Sequence, residues 1–260
     1  MPPSSSLGGP LRFVVRRGTV SGRGSGLRRS PGYRRRVASL KAVVFDVDFT
    51  IAMPGPDLGA EGYVRVGRRY GLRLDPARHD SARRAALETL ERHPELDHDE
   101  ELWVLFTERI IVGMGGEGDT HAAAVEMTRA WEDADHFELY PDVAATLGSL
   151  RAHDLKIGLL SNTARDLQLF VAHHGLAVDA LLTSRVHGKT KPHASIFHDL
   201  LGLLGVLPEE AVMVGDSIED DIDGARAVGM GALLVDRDRR YPDRPERLDS
   251  LAGVPAALGL

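Results

Sequence analysis

After Tyr140 the chain falls into a strict alternation of short apolar runs and helix-like stretches, and that alternation narrows the possible folds more than any other feature. Lys156-Ile-Gly-Leu-Leu-Ser161, Asp179-Ala-Leu-Leu-Thr183, Ala211-Val-Met-Val-Gly215 and Gly231-Ala-Leu-Leu-Val235 are the length of strands. They are apolar nearly throughout, as strands buried on both faces are. Val143–His153, Ala164–His174, Ser195–Leu204 and Ile218–Val228 read as the helices around and between them. Such alternation builds βα units on a parallel sheet. Lys41-Ala-Val-Val-Phe-Asp-Val47 is a fifth run of the same kind, but Ser161 comes 115 residues after Asp46, whereas a βαβ unit needs about 30.

The excess is rich in Ala, Arg, Glu and Leu. It has helical spacing in Ala82–Leu90 and Leu102–Ile111, and a glycine-rich turn at Gly113-Met-Gly-Gly-Glu-Gly118. The expected fold is therefore α/β: a Rossmann-like, doubly wound parallel sheet (residues 39–53 and 140–260) with an inserted all-helical cap subdomain (54–139). Open α/β sheets bind ligands at the carboxyl ends of their strands, so an insert leaving the first strand there would lie over the crevice as a lid. The mixed-charge run Asp236–Glu246 is expected to be a solvated surface segment.

Composition removes several function classes. The chain of 260 residues has no cysteine, so disulfide frameworks, thiolate metal sites and cysteine nucleophiles are excluded. No apolar run reaches the roughly 18 residues of a membrane span. The net charge of −6 argues against nucleic acid as the main partner. Residues 1–38 stand apart, with nine arginines and no Asp or Glu. This Arg/Ser/Gly-rich segment is too poor in apolar residues to offset its ordering entropy and is expected to be a disordered tail. A transit peptide, a tether to nucleic acid or an anionic membrane, or an over-extended start, with the true first residue near Val37, are the readings it leaves open. Without a secretory signal or a span, the expected location is cytoplasmic, with no membrane partner. Only four of the 32 basic residues are lysines, and two of them, Lys189 and Lys191, share one loop.

The strand ends carry the chemistry. The first ends in Asp46-Val47-Asp48-Phe49-Thr50 and the second in Ser161-Asn162. Lys189-Thr190-Lys191-Pro192 lies in a loop, and the fourth strand ends in Gly215-Asp216-Ser217 followed by Glu219, Asp220, Asp221 and Asp223. In a doubly wound sheet these ends converge. Clustered carboxylates raise each other's pKa unless a cation joins them, and Mg²⁺, a hard cation with oxygen ligands, suits such a set. Asp46 and Asp48 are two apart, so on an extended segment their side chains share a face. One can attack phosphorus through an aspartyl-phosphate while the other gives and takes a proton.

These four motifs, in this order, resemble the haloacid dehalogenase superfamily, in its phosphatase branch. Tyr140-Pro141-Asp142, Asp223-Gly-Ala-Arg-Ala227 and the helical insert after the first motif resemble it too. The resemblance spans about residues 40–236. It implies Asp46 as nucleophile and Mg²⁺ ligand, and Asp48 as general acid/base with its backbone carbonyl on the metal. It implies Thr50 as a group orienting the phosphoryl or the Asp46 loop, and Ser161 with the Asn162 backbone N–H on phosphoryl oxygens. Lys191 would neutralise the Asp46 and phosphoryl charge, and Asp216 would hold Mg²⁺ directly or through water. The register "acid, apolar, x, Gly-Ala" makes Asp221 the second acid of the fourth motif, though the count alone leaves Asp220 open. Phe49 departs from the family, which most often has glycine there.

The implied function is Mg²⁺-dependent hydrolysis of a small phosphorylated metabolite by a monomer or homodimer. Alternatives are a phosphomutase or another hydrolase of the superfamily, or a non-catalytic binding or regulatory protein on a retained fold. A dehalogenase is disfavoured because a halide needs no proton, so Asp48 would be idle. A cap-lysine Schiff base is disfavoured, since no lysine lies between Lys41 and Lys156. Lys189, Asp223 and the histidines are expected to be bystanders. Trp103, Phe106 and Trp131 are expected to form the core of the insert.

Overall fold

The computed structural model describes residues 40–244 and 247–260, so the expectation for the arginine-rich tail lies outside the described residues. Among the described residues eight strands occur: β1 (Ala42–Phe45), β2 (Ala52–Pro54), β3 (Phe137–Leu139), β4 (Lys156–Ser161), β5 (Ala180–Thr183), β6 (Ala211–Gly215), β7 (Gly231–Val235) and β8 (Arg247–Leu248). Six form one sheet in the order β5-β4-β1-β6-β7-β8, and every neighbouring pair in it is parallel. The chain leaves β1 for β4 on one side and later returns to β6 on the other. That reversal is the topological switch point at which doubly wound sheets bind ligands.

Helices cover both faces because the strand residues alternate in direction. Val43 and Phe45 point into a core shared with α5 (Val143–Ala152) and α6 (Leu167–His173). Ala42 and Val44 point into the opposite core, built with α8 (Ala194–Leu204) and α9 (Gly224–Ala227). A single turn, α7 (Ser184–His187), follows β5, and α10 (Val254–Ala257) closes the chain against α5. Among the described residues no helix is long and apolar enough to cross a membrane.

The insert holds α1 (Ala60–Arg69), α2 (His79–Glu88), α3 (Glu100–Gly113) and α4 (Thr120–Ala130). Asp99 and Asp119 cap α3 and α4, their carboxylates accepting the N–H groups of Glu101 at 3.0 Å and Ala122 at 3.1 Å. Such caps satisfy helix donors that have no partner within the helix. The glycine-rich break is the turn between them, with Gly115 and Gly118 at φ of 97° and 116°.

Three readings of the sequence are corrected. The segment 54–139 is not all helical: β2 and β3 pair antiparallel, Ala52 with Leu139 and Pro54 with Phe137, and tie off the base of the insert. Three-residue strands are too short to show a period, and their partners lie some eighty residues apart. The helix expected from Ala164 starts at Leu167, because Asp166 caps it by accepting from Gln168 N at 2.8 Å, and Thr163–Arg165 become loop. The run from Asp236 is not simply solvated. Asp236 is fully buried and accepts the backbone N–H groups of Arg240 and Tyr241, each at 2.8 Å. Arg237 donates to both oxygens of Asp142 and stacks on Tyr140, 3.6 Å from its ring centre.

Candidate active site

Strand register brings the motifs to one edge. Phe45 is level with Leu159 of β4 and Val214 of β6, so Asp46 stands level with Leu160 and Gly215. Ser161 and Asp216 follow one residue further along. Behind Asp46 the backbone turns tightly, with the N–H groups of Ile51 and Ala52 both donating to Val47 O at 2.9 Å. This turn puts Phe49 at φ 65°, a left-handed conformation that glycine adopts without steric cost. The same turn returns Thr50 to the nucleophile position, and its hydroxyl donates to Asp46 Oδ2 at 3.0 Å.

Lys191 is the electrostatic hinge of the site. Its ammonium is buried and donates to Asp46 Oδ1 at 2.7 Å, Asp221 Oδ1 at 2.6 Å and Leu160 O at 3.0 Å. Three donors meet three acceptors, so the buried charge is fully matched. Burial alone would push this ammonium down, but Asp221 and Asp46 outweigh it and hold it above the ordinary lysine value. Asn162 secures the loop: its side-chain amide accepts from Lys191 N at 2.7 Å and donates to Lys191 O at 3.0 Å.

Asp221, not Asp220, faces the nucleophile. It is buried, accepts from Ser217 N at 3.0 Å and lies hard against Gly215. A Cβ on Gly215 would come within 2.2 Å of Asp221 Oδ2, so only glycine fits there. Asp220 instead takes a two-pronged contact from Arg92 of the insert. One carboxylate oxygen from each of Asp46, Asp216 and Asp221 lies within 4.8 Å of the others. Burial, with the charges of Asp221 and Asp48 added and Lys191 opposing, raises Asp46 to about 7. Burial and the Asp46 charge raise Asp216 to about 6, against the pull of Arg240. Asp221 is raised too, chiefly by burial. Three oxygen donors that resist ionising together are the set a hard divalent cation relieves. Asp48 is not among them. Its carboxylate turns to Arg165, which donates at 2.9 and 3.3 Å.

Several partners escaped the sequence reading. Arg165 is buried between rings, its guanidinium 3.5 Å from the Phe137 ring centre, and its Nε donates to Trp131 O at 3.2 Å. Arg240 donates to Asp216 Oδ2 at 3.1 Å. Only the order "second motif, then Arg" hints at Arg165, and the excess of arginine over lysine in this chain masks such hints. Lys189, expected as a bystander, pairs with Asp97 at 2.6 Å and donates to Glu95 O at 2.8 Å. With Thr190 N on Leu96 O at 2.8 Å and His98 N on Gly188 O at 3.0 Å, it docks the α2–α3 loop onto the loop that carries Lys191. The insert thus roofs a cavity of about 370 Å³ over the strand ends. Ser161, Lys191 and the acids lie on its floor, and Trp103, Phe106 and Trp131 line its roof. The three aromatic rings are therefore partly a wall of the cleft rather than wholly the core of the insert.

The model of the haloacid dehalogenase-like hydrolase family matches residues 40–229. The chain belongs to this family. Over 219 residues, 81% of its length and 89% of the relative's, it is 30% identical to the glyceraldehyde 3-phosphate phosphatase of Methanopyrus kandleri. It is 37% identical to the phosphoserine phosphatase of Thermus thermophilus over 136 residues, which span about half of each chain. The crystal structure of a HAD phosphatase from Thermococcus onnurineus is similar, with 28% identity, 85% of this chain and 98% of that one covered, and a TM-score of 0.56. The L-2-haloacid dehalogenase of Xanthobacter autotrophicus shares the fold, with a TM-score of 0.61 at 24% identity and 85% and 98% coverage. Within the haloacid dehalogenase-like hydrolases the chain is an enzyme of the phosphatase branch.

Proposed function

We propose that the protein is a Mg²⁺-dependent phosphatase that hydrolyses a small phosphorylated metabolite through an aspartyl-phosphate on Asp46. The observation that carries this reading is the buried Lys191 ammonium joining Asp46 to Asp221 at the mouth of the sheet, with Asp216 completing the acidic set. Asp46 attacks phosphorus as the bond to the leaving oxygen breaks. Asp48, two residues on and lining the same cavity, gives its proton to the departing alkoxide. In the second step Asp48 takes a proton from the attacking water, which displaces Asp46 and releases inorganic phosphate. General acid–base help of this kind is worth about 10²–10⁴-fold.

Thr50 and Lys191 hold the nucleophile by its two oxygens. Ser161, the Asn162 N–H and Lys191 bind phosphoryl oxygens, as donors aimed at developing charge do in phosphoryl transfer. Asp46, Asp216, Asp221 and the Asp48 main-chain carbonyl would hold Mg²⁺, which when bound offsets the charge of the carboxylates and the phosphoryl group. Arg165 is a positioning residue: it fixes the Asp48 carboxylate from a buried, ring-packed seat. A dehalogenase would have no use for that second acid.

The test is phosphate release from a panel of phosphorylated metabolites. Turnover should require Mg²⁺, vanish in EDTA and drop to background in Asp46→Asn. Undiminished turnover in chelator, or more than a few per cent left in Asp46→Asn, would overturn the reading.

A further inference from the structure

The roof of the cleft has a chemical character of its own. Phe49 from the first motif and Trp131 face each other with ring centres 6.4 Å apart. Trp103 and Phe106 meet edge to face at 6.1 Å. These rings give the cavity a mainly apolar wall opposite the carboxylates, with room for more than a phosphoryl group. The charged side chains of that wall are nearly all matched by opposite charges. Arg92 pairs with Asp220, Asp97 with Lys189, and Glu100 and Glu132 with Arg185.

Arg83 is the exception. It lies on α2, half-buried, with its guanidinium 4.9 Å from the centre of the Phe49 ring, and among the described residues it has no carboxylate partner. It also lines a second cavity of about 190 Å³, which shares Phe49, Phe106 and Trp131 with the first. A cation held against a ring and left without an anion, beside an apolar wall, is a receptor for an amphipathic anion.

We propose that the substrate's leaving group joins a flat apolar body, packed on Phe49, Trp103, Phe106 and Trp131, to a carboxylate paired with Arg83. The inference rests on the phosphatase reading and names its substrate class: a phosphomonoester of an aryl-bearing hydroxy acid rather than of a small polyol. A single guanidinium suits a carboxylate, which it grips with two parallel hydrogen bonds. A second phosphate group would call for more positive charge than this wall has free.

Three esters that release primary alcohols of similar acidity test it in Mg²⁺: propyl phosphate, 3-phenylpropyl phosphate and 3-(4-carboxyphenyl)propyl phosphate. Burying the ring is expected to raise kcat/KM at least about tenfold over propyl phosphate. The carboxylate is expected to add about tenfold more. In Arg83→Met the ratio between the two ring-bearing esters should fall to about one, whatever the absolute rates. In Trp103→Ala the ratio of phenylpropyl to propyl ester should shrink. Equal kcat/KM for all three esters in the wild-type enzyme, or a carboxylate advantage that survives in Arg83→Met, overturns the substrate class and leaves the phosphatase standing. No release from any of them, nor from p-nitrophenyl phosphate, overturns the phosphatase reading and this inference with it.

Discussion

Replacing Arg165 by methionine removes a charge that the site cannot easily lose. The guanidinium makes two hydrogen bonds to Asp48 and one to Trp131 O, and it stacks on Phe137. Hydrogen bonds to charged groups contribute about 1.5–3 kcal/mol net, and a desolvated cation–π contact about 2 kcal/mol. Methionine refills most of the volume, and Asp48, with 23% of its side chain exposed, can recruit water once the guanidinium is gone. Stability should therefore fall by about 3 kcal/mol rather than by the full sum, a drop of about 6–12 °C in melting temperature for a domain of this size. Arg165→Lys restores the charge but not the fork or the flat stack, and should recover about half of the loss.

The kinetic consequence separates positioning from mere support. A carboxylate displaced by about 1 Å costs on the order of 10²-fold, so kcat should fall by that much in Arg165→Met with KM nearly unchanged, below the melting range. Thermal melts and initial-rate phosphate release read both effects. A variant within about 1 kcal/mol of the wild type that also keeps its kcat would refute the reasoning. A destabilised variant with intact kcat would leave Arg165 a purely structural residue.

Two further perturbations follow from the geometry. Asp221→Asn removes one of the two buried negative charges that balance Lys191 and should lower kcat/KM by at least about 10²-fold while raising the Mg²⁺ concentration needed. Asp220→Asn weakens the Arg92 pair and the 3.4 Å contact from the Asn162 amide, neither of which reaches Asp46, and should stay within about tenfold of the wild type; the opposite order in a Mg²⁺ titration would reverse the assignment. His98 bonds Ser184 Oγ at 2.9 Å, and its buried Nε2 has no hydrogen-bond partner, with the Glu100 carboxylate 4.0 Å away. Burial, with Arg185 adding and Glu100 opposing, holds its pKa below the usual value of 6.5. A histidine depressed in the folded state contributes stability above 6.5 that is lost as pH falls through the folded value. The melting temperature should therefore drop more steeply from about pH 7 to pH 5 in the wild type than in His98→Gln, and parallel curves would contradict this.

What could be read from the sequence was what strand ends carry. β4, β6 and β7 have the bounds expected of them, because buried parallel strands are apolar runs with sharp polar ends. The ends of β1, β4 and β6 hold Asp46, Ser161 and Asp216, so fixing the strands placed the residues on one edge. The register after the fourth motif favours Asp221 over Asp220, although the count alone leaves both open. The π-type turn at Ile218–Asp223 buries the Asp221 carboxylate against Gly215 and Lys191, the placement that register requires. Arg165, Arg240 and the β2–β3 ribbon could not be read. Their partners are far away in sequence, 117 residues for Arg165 and Asp48, and neither periodicity nor local motif encodes such a pairing. Asp236 was misread because a buried carboxylate that satisfies two backbone N–H groups looks, in one dimension, like any other acid in a charged run.

The central claim is that Asp46 carries the phosphoryl group between the two steps. It is tested most directly by mixing the enzyme and Mg²⁺ with a radiolabelled phosphomonoester that it turns over, quenching in acid within one turnover, and mapping the label. The account predicts one acid-stable, hydroxylamine-labile label on the peptide containing Asp46, absent from Asp46→Asn and, with p-nitrophenyl phosphate, whose phenolate leaves without a proton, accumulating in Asp48→Asn, which lacks the base for the second step. No trapped label in a turning-over enzyme, or a label on any other residue, would contradict it.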